Sequence, residues 1–164
     1  NGTSSSINLP DATIFSRTID FTVSCWIKAS TSSQANKTIW EFLNNTDKTS
    51  MVLAYNNGVI KFQRIRQGFT DYNFSFTPVD PVAWHHCVWV FEAATARLYG
   101  YVDGGLIGFI TASTSAGTGT MPTRSNIGNS EGVSNHFSGL IDEFIMENRV
   151  WNSEEVYDYY KMTK

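Results

Sequence analysis

Cysteine is scarce in this chain and charge is sparse. The 164 residues include two cysteines, Cys25 and Cys87, too few for a scaffold built on disulfides. They lie in separate apolar segments with no CxxC or HxxxH nearby, so the spacing of a zinc site is missing as well. Charged residues make up 16%, and 12 basic and 15 acidic side chains leave a net charge of −3 without a long run of one sign. That balance gives no electrostatic footprint for duplex nucleic acid or for an anionic membrane surface. No stretch approaches the roughly 20 apolar residues of a spanning helix, so membrane insertion is not expected. The opening Asn1-Gly2-Thr3-Ser4-Ser5-Ser6 lacks the basic and apolar regions of a signal peptide, and it reads as a cut inside a longer, already processed protein. Enzyme signatures are missing too: there is no Gly-x-Ser-x-Gly, no phosphate-cradling glycine loop, and no Cys/His constellation beyond one strand.

Aromatic residues, by contrast, reach 14%. Short runs rich in Val, Ile, Phe, Tyr and Trp recur between Gly, Asn, Asp and Pro, the pattern of an all-β sandwich or barrel in one domain spanning residues 1–164. In Phe21-Thr22-Val23-Ser24-Cys25-Trp26-Ile27-Lys28 the alternation sets Phe21, Val23, Cys25 and Ile27 on a core face and Trp26 on the other. Strands at 51–55 and 59–65 flank Asn56-Asn57-Gly58, whose Asn-Gly supplies the positive φ of a tight hairpin. A strand at 85–91 puts Cys87, Trp89 and Phe91 on one face, and 97–102 joins 106–112 through Asp103-Gly104-Gly105 in a second hairpin. Residues 113–124 read as a long surface loop. The last strand is 139–146, after which Asn152 caps a short helix with Glu155 reaching back, and Val156, Tyr159 and Tyr160 form its inward stripe.

Four Asn-x-Ser/Thr acceptors, at Asn1, Asn36, Asn44 and Asn73, carry little weight in a chain this rich in Asn, Ser and Thr. Recognition of a sugar needs an aromatic platform beside polar groups. Trp26, Tyr99 and Tyr101 supply such platforms, because Leu98, Gly100 and Val102 take the inward positions of their strand. Arg64 and Arg66, with Tyr72 in the loop that follows, mix cations and an aromatic ring. They suit an acidic sugar or a partner protein, or form a solvated strand end.

Five segments in order resemble the laminin-G-like branch of the concanavalin A-like jelly rolls: 2–10 with Ile7-Asn8-Leu9-Pro10; 21–28; Trp84-His85-His86-Cys87-Val88; Leu98-Tyr99-Gly100-Tyr101-Val102-Asp103-Gly104; and Gly139-Leu140-Ile141-Asp142-Glu143. The closing 148–156 is similar to that family's entry into a terminal helix. The resemblance implies two antiparallel sheets of about six or seven strands each, one curved, with Trp26, Tyr99 and Tyr101 on its concave face unless loops cover it. It implies a noncatalytic module, extracellular or surface-displayed, that binds a glycan or a surface protein as a lectin or adhesion domain. The second reading is a structural or interaction domain of a fibre or appendage, and a glycoside hydrolase comes third. The hydrolase branch carries Glu-x-Asp-x-Glu on one strand face; here Asp142 and Glu143 are adjacent, and a period of two sends them to opposite faces. His85 and His86 resemble the family's strand opening and read as hydrogen-bonded strand residues.

Such modules often hold calcium at a sheet edge. Asp142 is the candidate ligand and Asn1 a further oxygen, although Ser5-Ser6 stands where the family often has an acidic residue. The alternative is Asp142 accepting backbone hydrogen bonds with no ion. Pentraxins, relatives of the same architecture, bridge the matching strands by a disulfide between the positions of Ser24 and Val88. Opposed residue numbers in an antiparallel pair have a constant sum, so Cys25 is then set opposite Cys87, as a disulfide or as a reduced buried pair.

Overall fold

The computed structural model describes residues 5–9, 19–44, 49–66, 69–111, 124–130 and 135–164, and their side chains apart from those of 44, 49, 64–66 and 69–72. Among these described residues there are eleven strands and one helix: β1 (Ile7–Asn8), β2 (Phe21–Ala29), β3 (Lys37–Asn44), β4 (Thr49–Asn56), β5 (Val59–Arg66), β6 (Phe69–Phe76), β7 (Trp84–Glu92), β8 (Arg97–Val102), β9 (Gly105–Thr111), β10 (Arg124–Ile127), β11 (Gly139–Glu147) and α1 (Ser153–Thr163). They build a six-stranded sheet in the order β1-β10-β3-β4-β5-β6 and a five-stranded sheet in the order β11-β2-β7-β8-β9, with antiparallel pairing throughout both. This is the two-layer sandwich that alternating short strands require, since each sheet has one apolar face to bury.

The core lies between the layers. From the five-stranded sheet it takes Phe21, Val23, Cys25, Ile27, Cys87, Trp89 and Phe91; from the six-stranded sheet, Trp40, Phe42, Leu53, Tyr55, Ile60 and Phe62. Trp40 and Trp89 meet across the layers at 5.2 Å between centroids, and Phe62 stacks on Phe74 at 5.0 Å. Gly100 faces this cluster, and a Cβ there would stand 2.0 Å from Phe74 Cε2; the inward position of β8 is a glycine because an aromatic ring fills the space.

Both hairpins turn where Gly and its neighbour accept positive φ: Asn57 at 51° and Gly58 at 84°, Asp103 at 51° and Gly104 at 78°. Strands β3, β6 and β10 were not legible in the sequence. Tyr72 and its neighbours, read as a loop, form β6 and pair along β5. Of the expected loop 113–124, all but Arg124 lies outside the described residues. Helix α1 starts as expected: Asn152 accepts from the backbone of Glu154 and Glu155, and the Glu155 carboxylate accepts the Asn152 N–H.

Candidate functional site

Position parity puts Thr22, Ser24 and Trp26 of β2, His86, Val88 and Val90 of β7, and Tyr99 and Tyr101 of β8 on the outer face of the five-stranded sheet. Helix α1 lies on that face. Val156 is fully buried there in a second apolar cluster with Val88, Val90, Tyr101 and Trp151. Trp26 is 7% exposed, stacks on Tyr160 at 5.8 Å and donates its indole N–H to Thr163 Oγ1 at 3.0 Å. Tyr101 is 5% exposed, and burial raises its phenol pKa. The open aromatic platform expected of Trp26 and Tyr101 is therefore not formed; the helix occupies the space a ligand would need. Tyr99 is half-buried, its hydroxyl donating to Glu92 Oε2 at 3.2 Å.

Both histidines are held as strand residues. His85 places Nδ1 at 2.8 Å from Asp103 Oδ2 and Nε2 at 2.7 Å from the Asp80 carbonyl. Burial lowers its pKa, but those two bonds and the charges of Asp103 and Asp80 outweigh it and raise the net value. His86, with Nε2 2.7 Å from Ser24 Oγ, is pushed down to about 4 by burial, against a smaller opposing pull from Asp103.

Beyond the end of α1 the same face opens. Leu140, Lys28 and Trp84 form the next row across β11, β2 and β7, with Trp84 38% exposed. Between this row and the helix lies a cleft of about 590 Å³, floored by Trp26, Trp84 and Tyr160 and rimmed by Asp103, Asp142, Glu143, Thr163 and Lys164. The period-two argument that separated Asp142 from Glu143 fails here. The register shifts between Asp142, opposite Trp26, and Ile145, opposite Ser24, so Glu143 and Phe144 share the single position of Cys25. This is a β-bulge. Asp142 Oδ1 accepts the Glu143 N–H at 2.8 Å, Glu143 takes a φ of 47°, and both carboxylates face one cleft. No three His, Cys, Asp or Glu side chains among the described residues come together to hold a metal. Asp142, the candidate calcium ligand, lines this cleft; Asn1, the second candidate, lies outside the described residues.

Cys25 stands directly opposite Cys87, and both are free, buried thiols rather than a bridge. Burial pushes Cys25 up to about 12 and raises Cys87 well above its ordinary value, which keeps the pair protonated and inert.

The outer face of the six-stranded sheet carries a different surface. One unbroken row runs across all six strands: Asn8, Asn126, Glu41, Val52, Gln63 and Asn73. At the strand spacing of about 4.8 Å it is roughly 24 Å long. Beside it run Ala54, Lys61 and Ser75. Val52 and Ala54 are buried yet belong to neither apolar cluster, so small side chains of β4 floor this face. Glu41 is 7% exposed, and its Oε2 accepts from Ser130 Oγ at 2.8 Å. Arg64 lies opposite Tyr72 and Arg66 opposite Phe69, next along β5 and β6 from the Gln63–Asn73 pair; the side chains of Arg64, Arg66 and Tyr72 are outside the described set. Sequence reasoning missed this row because it depends on β1, β10 and β3 meeting in register. The alternation of Lys61, Phe62 and Gln63 was its one local signal.

A six-plus-five antiparallel jelly-roll sandwich with a helix on one outer face and a polar row on the other is a concanavalin A-like architecture. The family model described as the concanavalin A-like lectin/glucanases superfamily (Laminin_G_3) matches residues 1–157, and the chain belongs to that family. A comparison with curated protein sequences finds no match. Among solved structures, the CBM40 of the Ruminococcus gnavus IT-sialidase, bound to α2,3-sialyllactose, is similar with a TM-score of 0.77 at 14% identity, over 98% of this chain and 94% of that one. The botulinum neurotoxin serotype D binding domain gives 0.72 at 16% identity, over 98% of this chain and 42% of that one. A heptameric SAP-like pentraxin from Limulus polyphemus gives 0.64 at 14%, over 85% and 69%. The chain thus spans about two fifths of the toxin binding domain it matches. At these identities the likeness is one of fold.

Proposed function

We propose that this domain is a noncatalytic carbohydrate-binding module, extracellular or surface-displayed, whose glycan lies along the polar row of the six-stranded sheet. The observation that carries this reading is the row itself: four side-chain amides and one carboxylate in register over a floor of small residues. Amides both donate and accept, as sugar hydroxyls do, and a carboxylate bridges vicinal hydroxyls. The side chains beside the row on β4, Val52 and Ala54, are small. Glycoside hydrolysis needs two carboxyl groups about 5–9.5 Å apart across the bond, and the row holds one. The sialyllactose-bound CBM40 supports the same reading by fold. A glycan array with wild-type protein, Glu41→Gln and Gln63→Ala tests it: selective binding by wild type, lost or weakened at least tenfold in both variants, is expected. Wild-type silence across the array, or binding that both variants retain, overturns it.

A further inference from the structure

We propose that the cleft at the C-terminal end of α1 is a second binding site, specific for small organic ammonium ions. It lies on the opposite sheet from the polar row and does not depend on the glycan reading.

Three observations converge. The cleft is a cavity of about 590 Å³ with aromatic walls, Trp84, Trp26 and Tyr160. Trp84 is the open platform among them, 38% exposed where Trp26 is sealed by the helix. An ammonium group is already seated here: Lys164 Nζ lies 5.3 Å over the Tyr160 ring, in the arrangement by which ring faces hold cations.

The charges of the rim decide the sign of the ligand. Asp103 is matched by His85 at 2.8 Å. Asp142 and Glu143 have no ion-pair partner among the described residues; Asp142 accepts a backbone N–H and Glu143 accepts the Tyr159 hydroxyl at 2.9 Å. Lys28 stands on the row beyond and outside the lining. The bulge therefore brings two carboxylates to an aromatic cleft whose one lining cation, Lys164, sits on a ring. An anionic ligand meets repulsion at this rim, and a neutral one gains hydrogen bonds from it but no ion pair. A cationic nitrogen gains both the ring faces and the carboxylates.

The test titrates the domain with glucosamine, N-acetylglucosamine and tetramethylammonium chloride, following indole N–H resonances and tryptophan fluorescence. Saturable shifts at Trp84 with glucosamine or tetramethylammonium, and none with N-acetylglucosamine, are expected. A response to both cations assigns recognition to the rings; a response to glucosamine alone adds hydrogen bonding from a primary ammonium. The combined Asp142→Asn and Glu143→Gln variant keeps every acceptor in place and should weaken binding at least tenfold. Lys164→Ala removes the resident ammonium and should tighten binding severalfold, an effect that a merely structural lysine does not produce. Glu41→Gln on the other sheet should change nothing. Equal response to glucosamine and N-acetylglucosamine, no saturable response to any cation, undiminished affinity in the double variant, or weaker binding in Lys164→Ala overturns the proposal.

Discussion

Thr22 decides whether the outer face of the five-stranded sheet stays sealed. Its side chain is fully buried. It donates to the Arg149 carbonyl at 2.7 Å and accepts the Trp151 N–H at 3.0 Å, tying the segment between β11 and α1 to the middle of the sheet. Thr22→Val keeps the shape and removes the hydroxyl. The buried Trp151 N–H is then left without a partner at a cost of about 1–3 kcal/mol, and the bond to Arg149 takes away about 1 kcal/mol more. A loss of about 2–4 kcal/mol corresponds to a Tm lower by roughly 4–16 °C for a domain of this size. Because Trp151 anchors the cluster under α1, the loss should fall first on the helix. Trp26 emission then shifts to the red and acrylamide quenching rises below the main transition. Thr22→Ser, which keeps the hydroxyl and loses a methyl, should cost about 1 kcal/mol. Urea unfolding of the three proteins, read by fluorescence and by far-ultraviolet circular dichroism, makes the comparison. Equal stability of the Val and Ser variants would refute the claim that these two bonds hold the helix to the sheet.

Two further outcomes follow from the geometry. His85 has an acceptor at each ring nitrogen and a raised pKa, so its stabilisation is complete below the unfolded value of about 6.5 and is lost as pH rises through the folded value. His86 acts with the opposite sign: its folded value of about 4 removes stability as pH falls below about 6.5. The stability difference between wild type and His85→Gln should therefore be largest at mildly acidic pH and shrink above neutrality, measured by urea unfolding across that range; a difference that grows with pH contradicts the assignment. Gly100→Ala pushes a methyl against Phe74 and should cost about 1–3 kcal/mol, the usual penalty of overpacking. In the Phe74→Ala background the cost should fall to near zero, and a double-mutant cycle showing no coupling contradicts the packing.

The parts of the fold legible in the sequence are those that period and turn chemistry encode locally. Phe21, Val23, Cys25 and Ile27 face the core because a strand has a period of two and one sheet face is dry. Asn57-Gly58 and Asp103-Gly104 turn because those residues tolerate positive φ, and Asn152 with Glu155 starts α1 through a capping box closed within four residues. The same local logic placed Trp26 and Tyr101 away from the core, and it left open what would cover them.

Tertiary structure decided the rest. Which layer lies on Trp26 depends on where a helix more than a hundred residues later docks, and alternation carries no record of that partner. Asp142 and Glu143 share a cleft because a bulge inserts one residue opposite Cys25, a slip in register that no count along β11 reveals. The polar row exists only when six strands, drawn from both ends of the chain, align to the residue. Side-chain period is written in the order of amino acids; register and packing partners are set by the free energy of the whole assembled sandwich.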